Sequence, residues 1–180
     1  VHGVGIERFE HAIDACLHEL LRIDLIHIAR RHFLVHATED INALADFEEQ
    51  LDRYADRVAL VAITGASNVT GLLNPIHQLA EQAHAVGALF MADCAQLAPH
   101  RKVEMLPLSD PAHLDFVSIS AHKMYAPFGT GAIVGRRDIF ERGDPDMTGG
   151  GTVEIVTLEN VIWAEPPERE EAGSPNTVGA

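Results

Sequence analysis

Residues 58–93 read VALVAITGASNVTGLLNPIHQLAEQAHAVGALFMAD, and this stretch decides the fold. Val58–Ile63 is a continuous apolar run bounded by Arg57 and Thr64. Such runs suit strands buried on both faces, as in a parallel sheet covered by helices. A loop of small polar residues follows, Thr64 to Gly71. Then comes a punctuated helix: Asn74 can cap it, Pro75 suits its first position, and Gly87 can end it. Ile76, Leu79, Ala80 and Ala83 recur at helical spacing and make its buried stripe. A second apolar strand, Ala88–Ala92, ends at Asp93. Strand, helix, strand over this length is a βαβ unit, which predicts an α/β domain.

Two more strands read outward from that unit, Phe116–Ser120 and Gly131–Gly135. The expectation is a mostly parallel sheet with flanking helices. Upstream, Leu44, Phe47, Leu51 and Tyr54 mark an amphipathic helix over 42–55. Ile6, Phe9, Ile13, Leu17 and Leu20 mark another over 4–22. Between them, His32 and His36 are four apart, the spacing of a metal-binding pair on a helix. No third ligand is placed to complete a set, so no metal site is expected. From about Asp144 the chain turns rich in Gly, Pro and Glu, with Gly149-Gly150-Gly151 and Pro166-Pro167 as loops. The organisation expected is a helical segment over 1–55 and a ligand-binding portion over 56–180.

Composition limits the partners. The formal net charge of −14 argues against nucleic acid or an anionic membrane as the main partner, because both need a basic footprint. No stretch approaches the roughly 20 apolar residues of a membrane span. The first residues lack the pattern of a signal peptide, and Cys16 and Cys94 make neither a zinc pattern nor a disulfide framework, so a cytoplasmic location is expected. Of the 13 basic residues only Lys102 and Lys123 are lysines, so chemistry that demands a primary amine has two candidates.

Ligands of open α/β sheets bind beyond the carboxyl ends of the strands. Three polar clusters fall there: Ser67-Asn68, Asp93-Cys94-Ala95-Gln96, and Ser120-Ala121-His122-Lys123. These groups suit an aldehyde cofactor with a pyridine ring and a phosphate. A lysine can form an imine, an aspartate can hold the ring nitrogen protonated, amides can reach the ring oxygen, and Ser and His can reach phosphate. Each also has a plainer reading. Asp93 can be a helix cap, Ser120 and His122 a polar strand end, and Gly129-Thr130-Gly131 a turn.

The ordered string runs Ser67-Asn68-Val69-Thr70-Gly71, Asn74-Pro75-Ile76, Ala92-Asp93-Cys94-Ala95-Gln96, His100, Asp115-Phe116, Ser120-Ala121-His122-Lys123-Met124-Tyr125. It continues through Pro127, Gly129-x-Gly131, Gly149-Gly150-Gly151 and Glu171-Ala172-Gly173-Ser174-Pro175-Asn176. Over roughly 56–180 it resembles the cysteine desulfurase and selenocysteine lyase branch of class V pyridoxal phosphate (PLP) enzymes. The resemblance implies a fold-type-I large domain with Lys123 holding PLP as a Schiff base. It implies Asp93 at the pyridinium nitrogen, Asn68 and Gln96 at the ring oxygen, and Ser120 and His122 at the phosphate. A residue in the position of Ser174 reaches the phosphate of the neighbouring subunit in this family, which implies a homodimer. The substrate class implied is an amino acid bearing sulfur or selenium.

Cys94, Ala121 and Ala126 stand where the family more often has Gly. The ring-stacking histidine, the carboxylate-binding arginine and the nucleophilic cysteine of the family have no counterpart in the matched region, so the chain reads as a fragment. Other class V reactions (transamination, epimerisation, other C–S or C–N lysis) stay open, as does a non-catalytic remnant that only binds PLP or dimerises.

Overall fold

The structure is a computed structural model and describes residues 32–36, 43–54, 57–126, 129–174 and 176. The helix expected over 4–22, with Cys16, lies outside the described residues. Two compact units are distinguished, a larger one up to Arg136 that also takes in residue 176, and a smaller one over 137–174.

The larger unit is a five-stranded sheet in the order β1-β2-β3-β4-β5. Its strands are β1 (His32–His36), β2 (Val58–Thr64), β3 (Leu89–Asp93), β4 (Phe116–Ser120) and β5 (Gly131–Gly135). β1 to β4 run parallel and β5 is antiparallel to β4. The connections set this pattern. α1 (Ala43–Tyr54) lies between β1 and β2, and α2 (Ile76–Ala85) between β2 and β3, each giving the chain a way back. The short link from β4 to β5 has no room for a crossover, so the chain reverses. His32 and His36 therefore lie on a strand, not a helix, and this corrects the metal-pair geometry. At about 3.3 Å per residue their Cα atoms are about 13 Å apart, too far for one ion.

The core forms where the helices cover the sheet. Ile76, Leu79, Ala80 and Ala83 are the buried face of α2, as their spacing predicts. They join Phe47, Leu51, Val61, Ile63, Phe90, Ala92 and Val117 in one cluster. One cap differs from expectation: no side chain caps α2 and Pro75 occupies the cap position. The Asn74 amide instead donates to the Thr64 carbonyl at 2.7 Å, tying the loop back to the end of β2. Gly87, at φ 76°, ends the helix as expected. Gly131 is required for packing, because a Cβ there would sit 2.7 Å from the Ile119 carbonyl oxygen across the β4–β5 pair.

A buried carboxylate fastens the other end of β4. Asp115 is fully buried. Its Oδ2 accepts from the Phe90 N–H at 2.8 Å and lies 2.9 Å from His84 Nε2. Its Oδ1 accepts from Arg136 Nη1 at 3.1 Å and lies 3.3 Å from His113 Nε2. The other nitrogens of the two rings face the Pro111 and Asp110 carbonyls at 2.6 and 2.7 Å. These two histidines and Asp115 are close enough to share a cation. However, both Nε2 atoms are already taken up by the carboxylate, the rings are stacked 4.1 Å between centroids, and Arg136 neutralises the carboxylate. The group therefore reads as a staple joining α2, β3, β4 and the end of β5.

The smaller unit carries α3 (Arg137–Phe140), the antiparallel pair β6 (Val153–Val156) and β7 (Val161–Trp163), and a short 3-10 turn at Glu168–Glu170. Its glycine-rich loop is held by the Gly173 N–H, which donates to the Gly150 carbonyl at 2.9 Å.

Burial alone would raise the Asp115 carboxyl, but His84, the Phe90 N–H and Arg136 outweigh it and hold it below the ordinary carboxylate value. Its stabilising contribution is therefore complete above the unfolded-state value of about 4 and is lost as pH falls through the lower folded-state value. Asp115→Asn should cost about 2–4 kcal/mol at pH 7, because it leaves the partly buried Arg136 guanidinium without its carboxylate. The gap between variant and wild type should narrow in acid below pH of about 4. Denaturant unfolding across that range measures both effects, and a gap that stays equal at all pH values contradicts the lowered carboxyl of Asp115.

Candidate functional site

Parallel pairing of β2, β3 and β4 brings their carboxyl ends together, as the sequence predicts. In register, Thr64 faces Asp93 and Asp93 faces Ser118. Partnered positions on parallel strands point to the same face, and so does the residue two further on. Asp93, Ser118 and Ser120 thus share one face of the sheet end.

Asp93 is half-buried and its two oxygens differ. Oδ1 accepts from the Ala95 N–H at 2.9 Å and from the Ser118 hydroxyl at 3.2 Å. Oδ2 has no hydrogen-bond partner among the described residues. One oxygen is therefore anchored, and the other could accept from a ligand. The helix-cap alternative does not hold, since only a turn follows β3.

Ser120 is buried at the end of β4, with its Oγ 2.9 Å from His122 Nδ1. The chain then winds into a 3-10 turn, Ala121–Met124, that carries His122 and Lys123. Hydrogen bonds hold this turn: the Ala121 N–H donates to the Thr130 carbonyl, and the Tyr125 and Ala126 N–H groups to the Ala121 carbonyl. Tyr125 closes it in the left-handed region, at φ 69° and ψ 8°. For a bulky residue that conformation costs roughly 1–2 kcal/mol, which its surroundings must supply. Lys123 is half-buried, and among the described residues nothing pairs with its amine. Lys102 is exposed and ion-paired with Glu104 at 2.5 Å.

Asn68 is exposed on a turn organised by buried Ser67, whose Oγ accepts from the Val69 and Thr70 N–H groups at 3.2 and 3.1 Å. Gln96 is half-buried in the turn after β3, with Nε2 3.4 Å from His100 Nε2. Ser174 is exposed and lies in the smaller unit. Sequence reasoning does not single out Ser118 or the partners of Asp115. A signal for Ser118 exists: FVSIS places hydroxyls at i and i+2 on an otherwise apolar strand.

Cys94 is fully buried, with its thiol pushed up to about 12 by burial and by the neighbouring Asp93 carboxylate. A thiol in that state is not a nucleophile.

A lysine, a half-anchored carboxylate and a Ser–His pair at adjacent parallel strand ends define an α/β protein whose strand ends could hold a small charged organic ligand. The particular family follows from similarity: the chain belongs to the class-V aminotransferases, whose family model matches residues 27–180. A probable cysteine desulfurase 2 of Mycobacterium leprae is 41% identical over 128 residues, covering 71% of this chain and 29% of that protein. A cysteine desulfurase of Haloferax volcanii is 35% identical over 136 residues, covering 76% of this chain and 31% of that protein. Among solved structures, the apo cysteine desulfurase of Thermococcus onnurineus NA1 superimposes with a TM-score of 0.68 at 29% identity, over 89% of this chain and 46% of its own. The architecture is that of fold-type-I PLP enzymes. The chain spans less than a third of the length of those two curated relatives. No helix of the described residues is long and apolar enough to cross a membrane.

At pH 8 a thiol with a pKa of about 12 is ionised in about one molecule in 10,000. Iodoacetamide should therefore leave Cys94 unmodified in the folded protein and label it after unfolding in denaturant. Peptide mapping of the two samples reads this directly, and labelling of Cys94 at equal rates in both contradicts its sealed state.

Proposed function

We propose that the full-length protein is a PLP-dependent enzyme of the cysteine desulfurase or selenocysteine lyase type, acting on an amino acid that bears sulfur or selenium. The observation that carries the reading is the Asp93 carboxylate, with Oδ1 held by Ala95 and Ser118 and Oδ2 left open, at the strand end next to the one that carries Lys123. This suits a pyridinium N–H, because a fixed anion beside the ring favours the protonated nitrogen. The residues present fit the cofactor. The amine of Lys123 would hold the aldehyde, Ser120 and His122 would take phosphate oxygens, and Asn68 and Gln96 would reach the ring oxygen.

When bound, PLP supplies an electron sink that stabilises negative charge at the substrate's α-carbon. The protein's own groups do the rest. Asp93 would keep the ring nitrogen charged, and the Lys123 amine would move the proton at the substrate's α-carbon. Ser174 serves the phosphate of a second copy, which makes the working form a homodimer. Cys94 is not the sulfur acceptor, since it is buried and its thiol is un-ionised. Desulfurisation is favoured over other class V reactions because the curated relatives are cysteine desulfurases.

Borohydride reduction of the PLP-loaded protein should fix a pyridoxyl label on Lys123. Lys123→Ala should lower cysteine-dependent sulfide release by about 10²–10⁴-fold. A label on Lys102 alone removes Lys123 from the role, and a labelled Lys123 with no sulfide release but active transamination moves the reading to another class V reaction.

Sedimentation equilibrium tests the shared site. The PLP-loaded protein should be a dimer, and Ser174→Ala should weaken PLP retention without changing Lys123 labelling. A monomer that holds PLP at every concentration overturns the homodimer.

A further inference from the structure

We infer that Ser118 is a positioning residue for the cofactor's ring nitrogen: its hydroxyl locks the Asp93 carboxylate so that Oδ2 alone faces the ligand. The inference rests on the PLP reading above and reaches one residue behind the groups named there. Ser118 sits in β4 directly across the parallel pair from Asp93. It is buried, 4% exposed, in a strand whose neighbours Phe116 and Val117 are core. A hydroxyl in such a place needs a partner. Its partner is Asp93 Oδ1 at 3.2 Å.

The pairing has a geometric and an electrostatic effect. The Ala95 N–H alone would restrain the carboxylate through a single local hydrogen bond. A second donor from a neighbouring strand, on the same oxygen, tightens that restraint. Both donors are used on Oδ1, so Oδ2 meets the ring nitrogen as an open acceptor. A charged acceptor fixed at that place holds the proton on the nitrogen. β4 thus contributes twice to one site from a single face, through Ser118 to Asp93 and through Ser120 beside His122.

The test uses the full-length protein loaded with PLP carrying ¹⁵N in its ring, read by ¹⁵N NMR and by PLP affinity. Wild type and Ser118→Thr, which keeps the hydroxyl, should show the protonated ring nitrogen. Asp93→Asn should show the unprotonated nitrogen and serves as the limit. Ser118→Ala should shift the resonance from the wild-type position toward that limit and weaken PLP binding about ten-fold, the loss of one charge-assisted hydrogen bond. Ser118→Cys keeps the volume with a weaker donor and should fall between Ala and wild type, which keeps the question open to decision if Ser118→Ala does not hold its fold. A loss of packing alone would not move the ring nitrogen. A wild-type resonance and affinity in both Ser118→Ala and Ser118→Cys overturns the role of Ser118 and leaves the PLP reading standing. A wild type that takes up no PLP overturns both.

Discussion

The site depends on the parallel register of β2, β3 and β4. Thr64, Asp93 and Ser118 are Cα partners across three adjacent strands. That alignment puts a carboxylate and two hydroxyl-bearing residues of β4 on one face at one end of the sheet. A slip of one residue between β3 and β4 would turn Ser118 and Ser120 to the opposite face from Asp93. Register is held by burial: Phe90, Ala92, Phe116 and Val117 are all nearly inaccessible, and a slip would re-sort them. The apolar core and the polar site are thus set by the same hydrogen-bond ladder.

Two aspartates mark the two ends of this arrangement and have opposite fates. Asp115, just before β4, is surrounded on both oxygens by His84, His113, Arg136 and the Phe90 N–H. Nothing is left on it for a ligand. Asp93, at the carboxyl end of β3, has one oxygen occupied and one open. Saturation makes the first a fastener. Incomplete coordination leaves the second able to accept a further donor. The difference lies in position: Asp115 enters the sheet beneath α2, whereas Asp93 leaves it toward the loops where ligands of such sheets bind.

Much of this is legible in the chain. The continuous apolar run at Val58–Ile63, the stripe on α2 and the strand at Phe116–Ser120 all follow from periodicity, and the three polar clusters follow from where those strands end. His32–His36 is not legible, because a five-residue strand with histidines at both ends mimics helical spacing and its apolar centre is too short to show a period of two. Asn74 reads as a cap because the sequence cannot show that the Thr64 carbonyl, ten positions back, lies within reach of its amide. Ser118 escapes notice for a related reason. The hydroxyl of Ser118, two residues before Ser120, gains its meaning only when the register across the sheet is known. The antiparallel turn of β5 can be inferred from the length of its connection alone.

Cys94 bears on how such a protein ages. Oxidation of a cysteine by peroxide begins at the thiolate, and the path from sulfenic to sulfonic acid becomes irreversible past its first step. A thiol one residue from Asp93 would otherwise be the group most able to damage the site. Zero exposure and a pKa of about 12 deny it that first step. Persulfide and disulfide exchange also require a thiolate, so the same burial keeps reactive sulfur from being captured beside the carboxylate. Burial thus keeps the thiol next to Asp93 out of reach of oxidants and reactive sulfur.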